Sequence, residues 1–277
     1  MKKILVPCDF SDPAIQAFRF AVEIANQSKG EIILLNVVEL PVMHDTVLMP
    51  TLNFEMEFLK DMKASAEKNF SKMKTKWASD GPKVSSFIEH GPIMTTIGHI
   101  AEKKKVDLIV MGTKGASGLK EFFVGSNTEK IVRKSTVPVI AVKKFVKASS
   151  IKNIVFPNTL GKDQEDLTMK VKALQEFFKA KLHILYVNTP ANFQDDKSIK
   201  RHLKEFVNRF MIKNFTLNVF NDLEQESGMI HFAHEVGADM IAMATHGRRG
   251  LNHLMMGSIA EDIVNHIDCP IWTCTEK

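Results

Sequence analysis

Short apolar runs alternate with longer amphipathic stretches along the whole chain. Lys3 to Pro7 is a compact apolar run of strand type. Ser11-Asp12-Pro13 then supplies a cap and a proline for a first helical turn, and Ile15, Phe18, Phe20, Val22 and Ile24 populate a helix to about Ser28. Glu31 to Val38 is almost continuously apolar, as a parallel strand covered on both faces must be. The pattern next predicts a long helix over 56–79, a strand over Lys83–Glu89, a helix over 93–104 and a strand over Leu108–Met111. A helix over 126–135 and a strand over Pro138–Val142 complete the first set. Strands alternating with helices predict parallel sheets with right-handed crossovers.

The same succession returns from Asn153 to Thr273, after a linker around Lys143 to Ser150. Lys3-Ile4-Leu5-Val6-Pro7 matches Asn153-Ile154-Val155-Phe156-Pro157, and Leu35-Asn36-Val37 matches Leu185-Tyr186-Val187 at the same offset of 150. Further on the offset is 132, pairing Asp107 with Asp239, Gly115 with Gly247, Gly125-Ser126 with Gly257-Ser258 and Pro138 with Pro270. Residues 101–139 and 233–271 share fourteen identities in thirty-nine positions. The chain is a tandem duplication, and the first copy carries eighteen extra residues between Val37 and Ala101. The expected units are residues 1–146 and 151–277.

Composition narrows this without redirecting it. The 277 residues give room for two domains, and 44% hydrophobic with 25% charged residues fits neither a disordered nor a disulfide-stapled chain. No apolar run reaches the roughly 18 residues of a membrane helix. The opening apolar stretch ends at Cys8, before Asp9, which argues against a signal peptide. A net charge of +5, spread over both copies, reads as a solvated surface rather than a nucleic-acid footprint. Three cysteines, with Cys269 and Cys274 five apart and therefore on opposite faces of an extended segment, predict a reduced, cytoplasmic protein.

The chemistry concentrates after the fourth strand. Gly112-Thr-Lys-Gly115 is followed by nine residues and then Gly125-Ser126-Asn127-Thr128, which open a helix. Glycines let backbone N–H groups approach an anion, and a helix N-terminus favours negative charge. The loop also leaves the carboxyl end of a parallel strand, where such sheets bind ligands. As a plain tight turn the glycines need no ligand, and the surrounding blocks weigh against that bland reading. The spacing G-x2-G-x9-G-S, the opening Val6-Pro7-Cys8-Asp9-Phe10-Ser11, the strand ending in Asn36-Val37-Val38 and the closing Thr-Val-Pro-Val-Ile strand together resemble the universal stress protein family, in both copies.

The resemblance implies two Rossmann-like α/β domains, each a five-stranded parallel sheet of order 3-2-1-4-5 with helices on both faces. It implies pairing of the two copies through their fifth strands, after Pro138 and Pro270, as an intramolecular pseudo-dimer. It also implies binding of ATP, ADP or AMP, with Mg²⁺ accompanying the nucleotide. Carried over by position, Pro7, Cys8 and Asp9 line the adenosine pocket, with Asp9 as ribose acceptor. Val37 meets the adenine through its backbone, while Gly112, Gly115, Gly125, Ser126, Asn127 and Thr128 hold phosphates. In the second copy Pro157, Val187, Gly247, Gly257 and Ser258 keep the pattern, but Thr159 replaces the carboxylate and Ala244 the first glycine. Arg248 and Arg249 are candidate phosphate contacts there. A second site weaker than the first is therefore expected.

Other features point less far. No G-x4-G-K-[ST] or G-x-G-x-x-G run exists, which disfavours Walker-type and dinucleotide sites. Lys114 is more simply a solvated loop lysine. His231, His234, His246, His253 and His266 lack metal-ligand spacing, so no metal site is expected among them. Cys8 beside Asp9 suits packing better than redox chemistry. The extra stretch Glu39 to Glu57 is too apolar for idle coil and suits a pocket cover, a domain contact or an intermolecular contact. The expected function is an adenine-nucleotide-binding stress-response regulator with an unidentified protein partner. Its alternatives are a slow ATPase or phosphotransferase, with Mg²⁺ on Asp9 or Ser126, and a nucleotide-free interaction module.

Overall fold

A computed structural model describes residues 1–39, 50–113, 126–160, 164–246, 263 and 266–276, with backbone alone at 50–56, 126, 246 and 276. The first copy contains β1 (Lys3–Pro7), α1 (Asp12–Ser28), β2 (Glu31–Val38), α2 (Pro50–Trp77), β3 (Lys83–His90), α3 (Ile93–Lys104), β4 (Leu108–Gly112), α4 (Ser126–Lys134) and β5 (Val139–Val142). The second contains β6 (Asn153–Pro157), α5 (Glu165–Phe178), β7 (Lys181–Asn188), α6 (Asp196–Phe210), β8 (Phe215–Asn221), α7 (Gln225–Glu235), β9 (Met240–His246) and β10 (Ile271–Glu276).

The duplication is visible at single residues. Phe10 and Leu160, one in each copy, both turn the chain at positive φ, 65° and 59°, after the first strand. Lys29 and Lys179 close α1 and α5 in the left-handed region. Asp107 Oδ2 accepts the backbone N–H groups of Lys2 and Lys3, and Asp239 Oδ2 those of Lys152 and Asn153. The copies differ mainly between their second and third strands, where α2 has 28 residues and α6 has 15. The pattern predicts that the longer helix starts at 56. It starts instead at Pro50, a residue that lacks the N–H a first helical turn leaves unpaired.

The ten strands of the described residues form one sheet, in the order β3-β2-β1-β4-β5-β10-β9-β6-β7-β8. Each half is parallel with the order 3-2-1-4-5, and β5 and β10 join the halves in antiparallel register, Ile140 opposite Trp272. Alternation along β1 sends Ile4 and Val6 to one face and Leu5 to the other. One core layer packs α1, α2, α5 and α6 on the first face; α3, α4 and α7 cover the second. Both layers run across the joint, with Trp272 buried at its middle. Polar ties span it too: Thr245 Oγ1 donates to the Val132 carbonyl at 3.1 Å, and Gln27 Nε2 donates to the Phe177 carbonyl. Among the described residues no helix is long and apolar enough to cross a membrane.

Candidate functional site

In each half the strand order reverses beside the first strand, between β1 and β4 in the first copy and between β6 and β9 in the second. Such a reversal leaves a crevice beyond the carboxyl ends of the strands. Pro7 ends β1, and Cys8 extends its ladder by one bond, donating its N–H to the Leu35 carbonyl at 2.8 Å. The chain then turns through Phe10. Asp9 lies exposed at this turn, and its Oδ1 accepts the Ser11 N–H at 3.0 Å and the Ser11 hydroxyl at 2.6 Å. Ser11 in turn caps α1 through the Ala14 N–H. The carboxylate predicted to meet a ribose is thereby fixed at the mouth of the crevice.

Along β2 the backbone groups of Leu35 face β1, while those of Val38 face β3, where the Val38 carbonyl accepts the Gly91 N–H at 3.1 Å. Alternation turns the N–H and carbonyl of Val37 back toward the β1 side, level with the point where β1 has ended. This orientation suits backbone recognition of a flat heterocycle. Asn36, which the sequence alone did not single out, is buried and donates from Nδ2 to the Cys8 carbonyl at 2.8 Å, holding the turn against β2. Its polarity inside an apolar strand was the available signal.

The structure also revises why Gly112 is glycine. A Cβ there would lie 2.5 Å from the Pro13 carbonyl carbon and 2.8 Å from the Ala14 nitrogen. The residue lets β4 pass under the N-terminus of α1, a packing requirement that needs no ligand. Thr128 is buried in the first turn of α4, and its hydroxyl donates to the Gly112 carbonyl at 2.7 Å. It braces the amino end of α4 against the end of β4. Asn127 is half-buried beside it, and Ser126 is the first residue of α4. Cys8 is buried beside Met73; burial first, and the charge of Asp9 with it, push its thiol up to about 12. It is packing, as its sequence context suggests. Lys114, Gly115 and Gly125 lie outside the described residues, as do 40–49 of the apolar extra stretch.

The second copy builds the same turn with other groups. Asn158, in the place of Cys8, donates its N–H to the Leu185 carbonyl at 2.8 Å, and its Oδ1 accepts the Leu160 N–H at 2.6 Å. Its Nδ2 is buried with no hydrogen-bond partner among the described residues. Thr159 is exposed where Asp9 stands in the first copy and accepts from Gln164 Nε2 at 3.0 Å. Ala244 is buried in β9, Pro157 is half-buried and Val187 is buried, while Gly247, Arg248, Arg249, His253, Gly257 and Ser258 lie outside the described residues.

A cavity of about 860 Å³ opens elsewhere in this half, past the ends of β7 and β8, lined by Asn188, Phe193, Phe220 and His231 among others. His231 Nδ1 lies 2.8 Å from Asp222 Oδ2, and that hydrogen bond holds the Asp222 carboxyl below its ordinary range. Pro157 and Val187, the described members of the predicted second nucleotide site, do not line it. Among the described residues no group of three or more His, Cys, Asp or Glu side chains is placed to hold a metal ion.

Comparison with known proteins bears on the whole arrangement. A universal stress protein of Methanocaldococcus jannaschii is 34% identical over 143 residues, which is 52% of this chain and 82% of the relative. Universal stress protein YxiE of Bacillus subtilis is 31% identical over 145 residues, 51% of this chain and 98% of the relative. Each match thus takes half of this chain and most of a one-copy protein. The crystal structure of a universal stress protein from Archaeoglobus fulgidus shares the two-copy fold: TM-score 0.78 at 20% identity, covering 99% of this chain and 98% of that one. The model of the universal stress protein family matches residues 1–143 and again 224–274. The unmatched middle contains β6 to β8, where the second copy has replaced Asp9 by Thr159 and Cys8 by Asn158. On these matches the chain belongs to the universal stress protein family.

Proposed function

We propose that the protein is an adenine-nucleotide-binding regulator of the stress response. Its working site is the crevice of the first unit, residues 1–146; the second unit, 151–277, binds nucleotide more weakly or not at all. The observation that carries this reading is the convergence of three different donor sets at one strand reversal. Val37 turns backbone groups toward the crevice, Asp9 holds a fixed carboxylate at its mouth, and the N-terminus of α4 is braced against the end of β4 by Thr128. A carboxylate suits the diol of a ribose, and helix N–H groups with their dipole suit phosphate, contributing about 0.3–1 kcal/mol when exposed. Pro7 and Cys8 form the floor between them. Gly112 serves this site indirectly, by letting α1 and its capped turn sit close to β4. Gly115, Gly125, Ser126 and Asn127 supply phosphate contacts on this reading, and a Mg²⁺ ion would arrive with the nucleotide.

Thermal unfolding of the full chain with ATP, ADP and AMP, each with and without Mg²⁺, tests the proposal. A nucleotide at about a hundred times its Kd adds about 2.7 kcal/mol to stability. A rise in Tm with at least one of the three is the expected result. If none of them moves the transition at millimolar concentration, the site is not a nucleotide site.

A further inference from the structure

The cavity past the ends of β7 and β8 lies apart from the nucleotide crevices and has its own chemistry. Its volume of about 860 Å³ falls within the roughly 300–1,000 Å³ of small-molecule pockets. Phe193 and Leu223 line it and are 73% and 81% exposed, apolar surface that a soluble chain ordinarily covers. Phe220, also lining, is fixed by an edge-to-face contact with Phe232, the ring centres 5.9 Å apart. Asp222 accepts from the Leu223 N–H at 2.7 Å and from His231 Nδ1 at 2.8 Å. An ionised carboxylate only accepts, so Nδ1 carries the proton and the neutral ring presents Nε2 as a bare acceptor. Nε2 has no hydrogen-bond partner among the described residues. Thr189 lines the cavity too and is 3% exposed, yet its hydroxyl makes no hydrogen bond among the described residues. Buried hydroxyls are ordinarily paired, so this one is a group in want of a partner.

The first copy is built otherwise. The Gly91 N–H donates to the Val38 carbonyl as the Asp222 N–H does to that of Asn188, so glycine stands where the carboxylate stands. Glu39, the counterpart of Thr189 at the offset of 150, uses its side chain on the Ile93 N–H at 3.1 Å. The arrangement therefore belongs to the second copy and not to the shared fold. We propose that this cavity binds a small uncharged aromatic alcohol, a phenol, with its ring against Phe193 and Phe220 and its hydroxyl served by His231 Nε2 and Thr189. A bare acceptor and a free hydroxyl together call for a ligand group that both donates and accepts, as a hydroxyl does. No lysine or arginine lines the cavity among the described residues, so a carboxylate or phosphate would meet Asp222 without an uncommitted cation. A ligand cation fares no better, because Asp222 already spends both oxygens. The apolar walls favour a ring over a sugar.

Fluorine NMR of p-fluorophenol with the full chain tests this, with fluorobenzene and p-fluorobenzoate as comparators. p-Fluorophenol is expected to bind at least about fivefold tighter than fluorobenzene, which offers the same ring without the hydroxyl. The anion p-fluorobenzoate should bind more weakly than the phenol. Thr189→Val keeps the side-chain shape and removes the hydroxyl, and His231→Leu removes Nε2. Each should weaken p-fluorophenol by about threefold or more and leave fluorobenzene within about twofold, which also shows that the variant is folded. Carbethoxylation by diethyl pyrocarbonate, mapped by peptide mass, locates the probe on the parent chain. p-Fluorophenol should slow the reaction at His231 while the exposed His90 and His99 of the first copy react as before. Fluorobenzene bound as tightly as p-fluorophenol, p-fluorobenzoate bound more tightly, variants that bind the phenol like the parent, or an unprotected His231 would each overturn the proposal.

Discussion

Asp9 and Thr159 stand at one place in the repeat, two residues past the end of a central strand, on a turn closed by a residue at positive φ. Around them the scaffold is conserved to the hydrogen bond: Cys8 and Asn158 donate to Leu35 and Leu185 in the same way. What differs is the chemistry offered to the crevice. The first copy presents a carboxylate held by Ser11; the second presents a hydroxyl held by Gln164 and a buried Asn158 amide nitrogen with no partner among the described residues. The fold is the same in both halves while the residues offered at this turn differ.

The strongest way to break that comparison is at Gly112 and its counterpart Ala244. Gly112→Ala places a Cβ 2.5 Å from the Pro13 backbone, where no flexible side chain can yield. The substitution should cost about 1–3 kcal/mol, as overpacking does, read as a lower urea midpoint. Ala244→Gly should cost only about 0.5–1 kcal/mol, since it removes one buried methyl and frees the backbone. Equal, small effects at the two positions would mean that the close approach of α1 to β4 is not what distinguishes the copies.

Binding gives the next effect. Asp9→Thr gives the first copy the second copy's residue and is expected to weaken ATP, ADP and AMP binding alike, because the ribose is common to all three. The expected loss is about tenfold in Kd, or about 1.4 kcal/mol, by titration calorimetry. Thr159→Asp alone should leave the dominant affinity unchanged. If Asp9→Thr is silent and Thr159→Asp tightens binding, the roles assigned to the two copies are reversed.

The general frame of the molecule was readable because it rests on local signals. Apolar runs such as Glu31–Val38 can only be strands covered on both faces, and the offset between Lys3–Pro7 and Asn153–Pro157 exposes the second copy without any knowledge of contacts. The opposite-face expectation for Cys269 and Cys274 holds for the same reason: they pack against different core layers. The candidate site could be listed from the sequence as residue types in order, Pro7 to Asp9, Val37 and Gly112, and not as contacts. Nothing in the spacing says that Gly112 is glycine because of Pro13, a residue ninety-nine positions earlier. Nor does it say that Thr128 spends its hydroxyl on the Gly112 carbonyl. Asn36 escaped because its partner, Cys8, is set by tertiary packing rather than by periodicity. The start of α2 escaped because Pro50 reads as a breaker until it is seen in a first turn.

The smallest expected effect tests the joint between the halves. Lys144, just past β5, reaches Asp268 Oδ2 at 3.0 Å, and Lys143 reaches Oδ1 at 3.9 Å, just before β10. The hydrogen bond from Lys144, then its charge and that of Lys143, hold the Asp268 carboxyl below the usual carboxylate range. A depressed carboxylate pKa stabilises the fold at pH values above the unfolded value of about 3.9, and the contribution fades as pH falls through the lower folded value. Asp268 is largely exposed, so the contribution should stay below about 1 kcal/mol and be screened by salt. Asp268→Asn should therefore lower stability slightly at pH 7 and low salt, and match the parent chain in strong salt or in acid. The apolar seam, with Trp272 opposite Ile140, carries most of the joint. A single unfolding transition, shifted as a whole, is expected for both proteins. If Asp268→Asn instead splits the transition in two, the halves are held together by this ion pair rather than by the shared sheet and core.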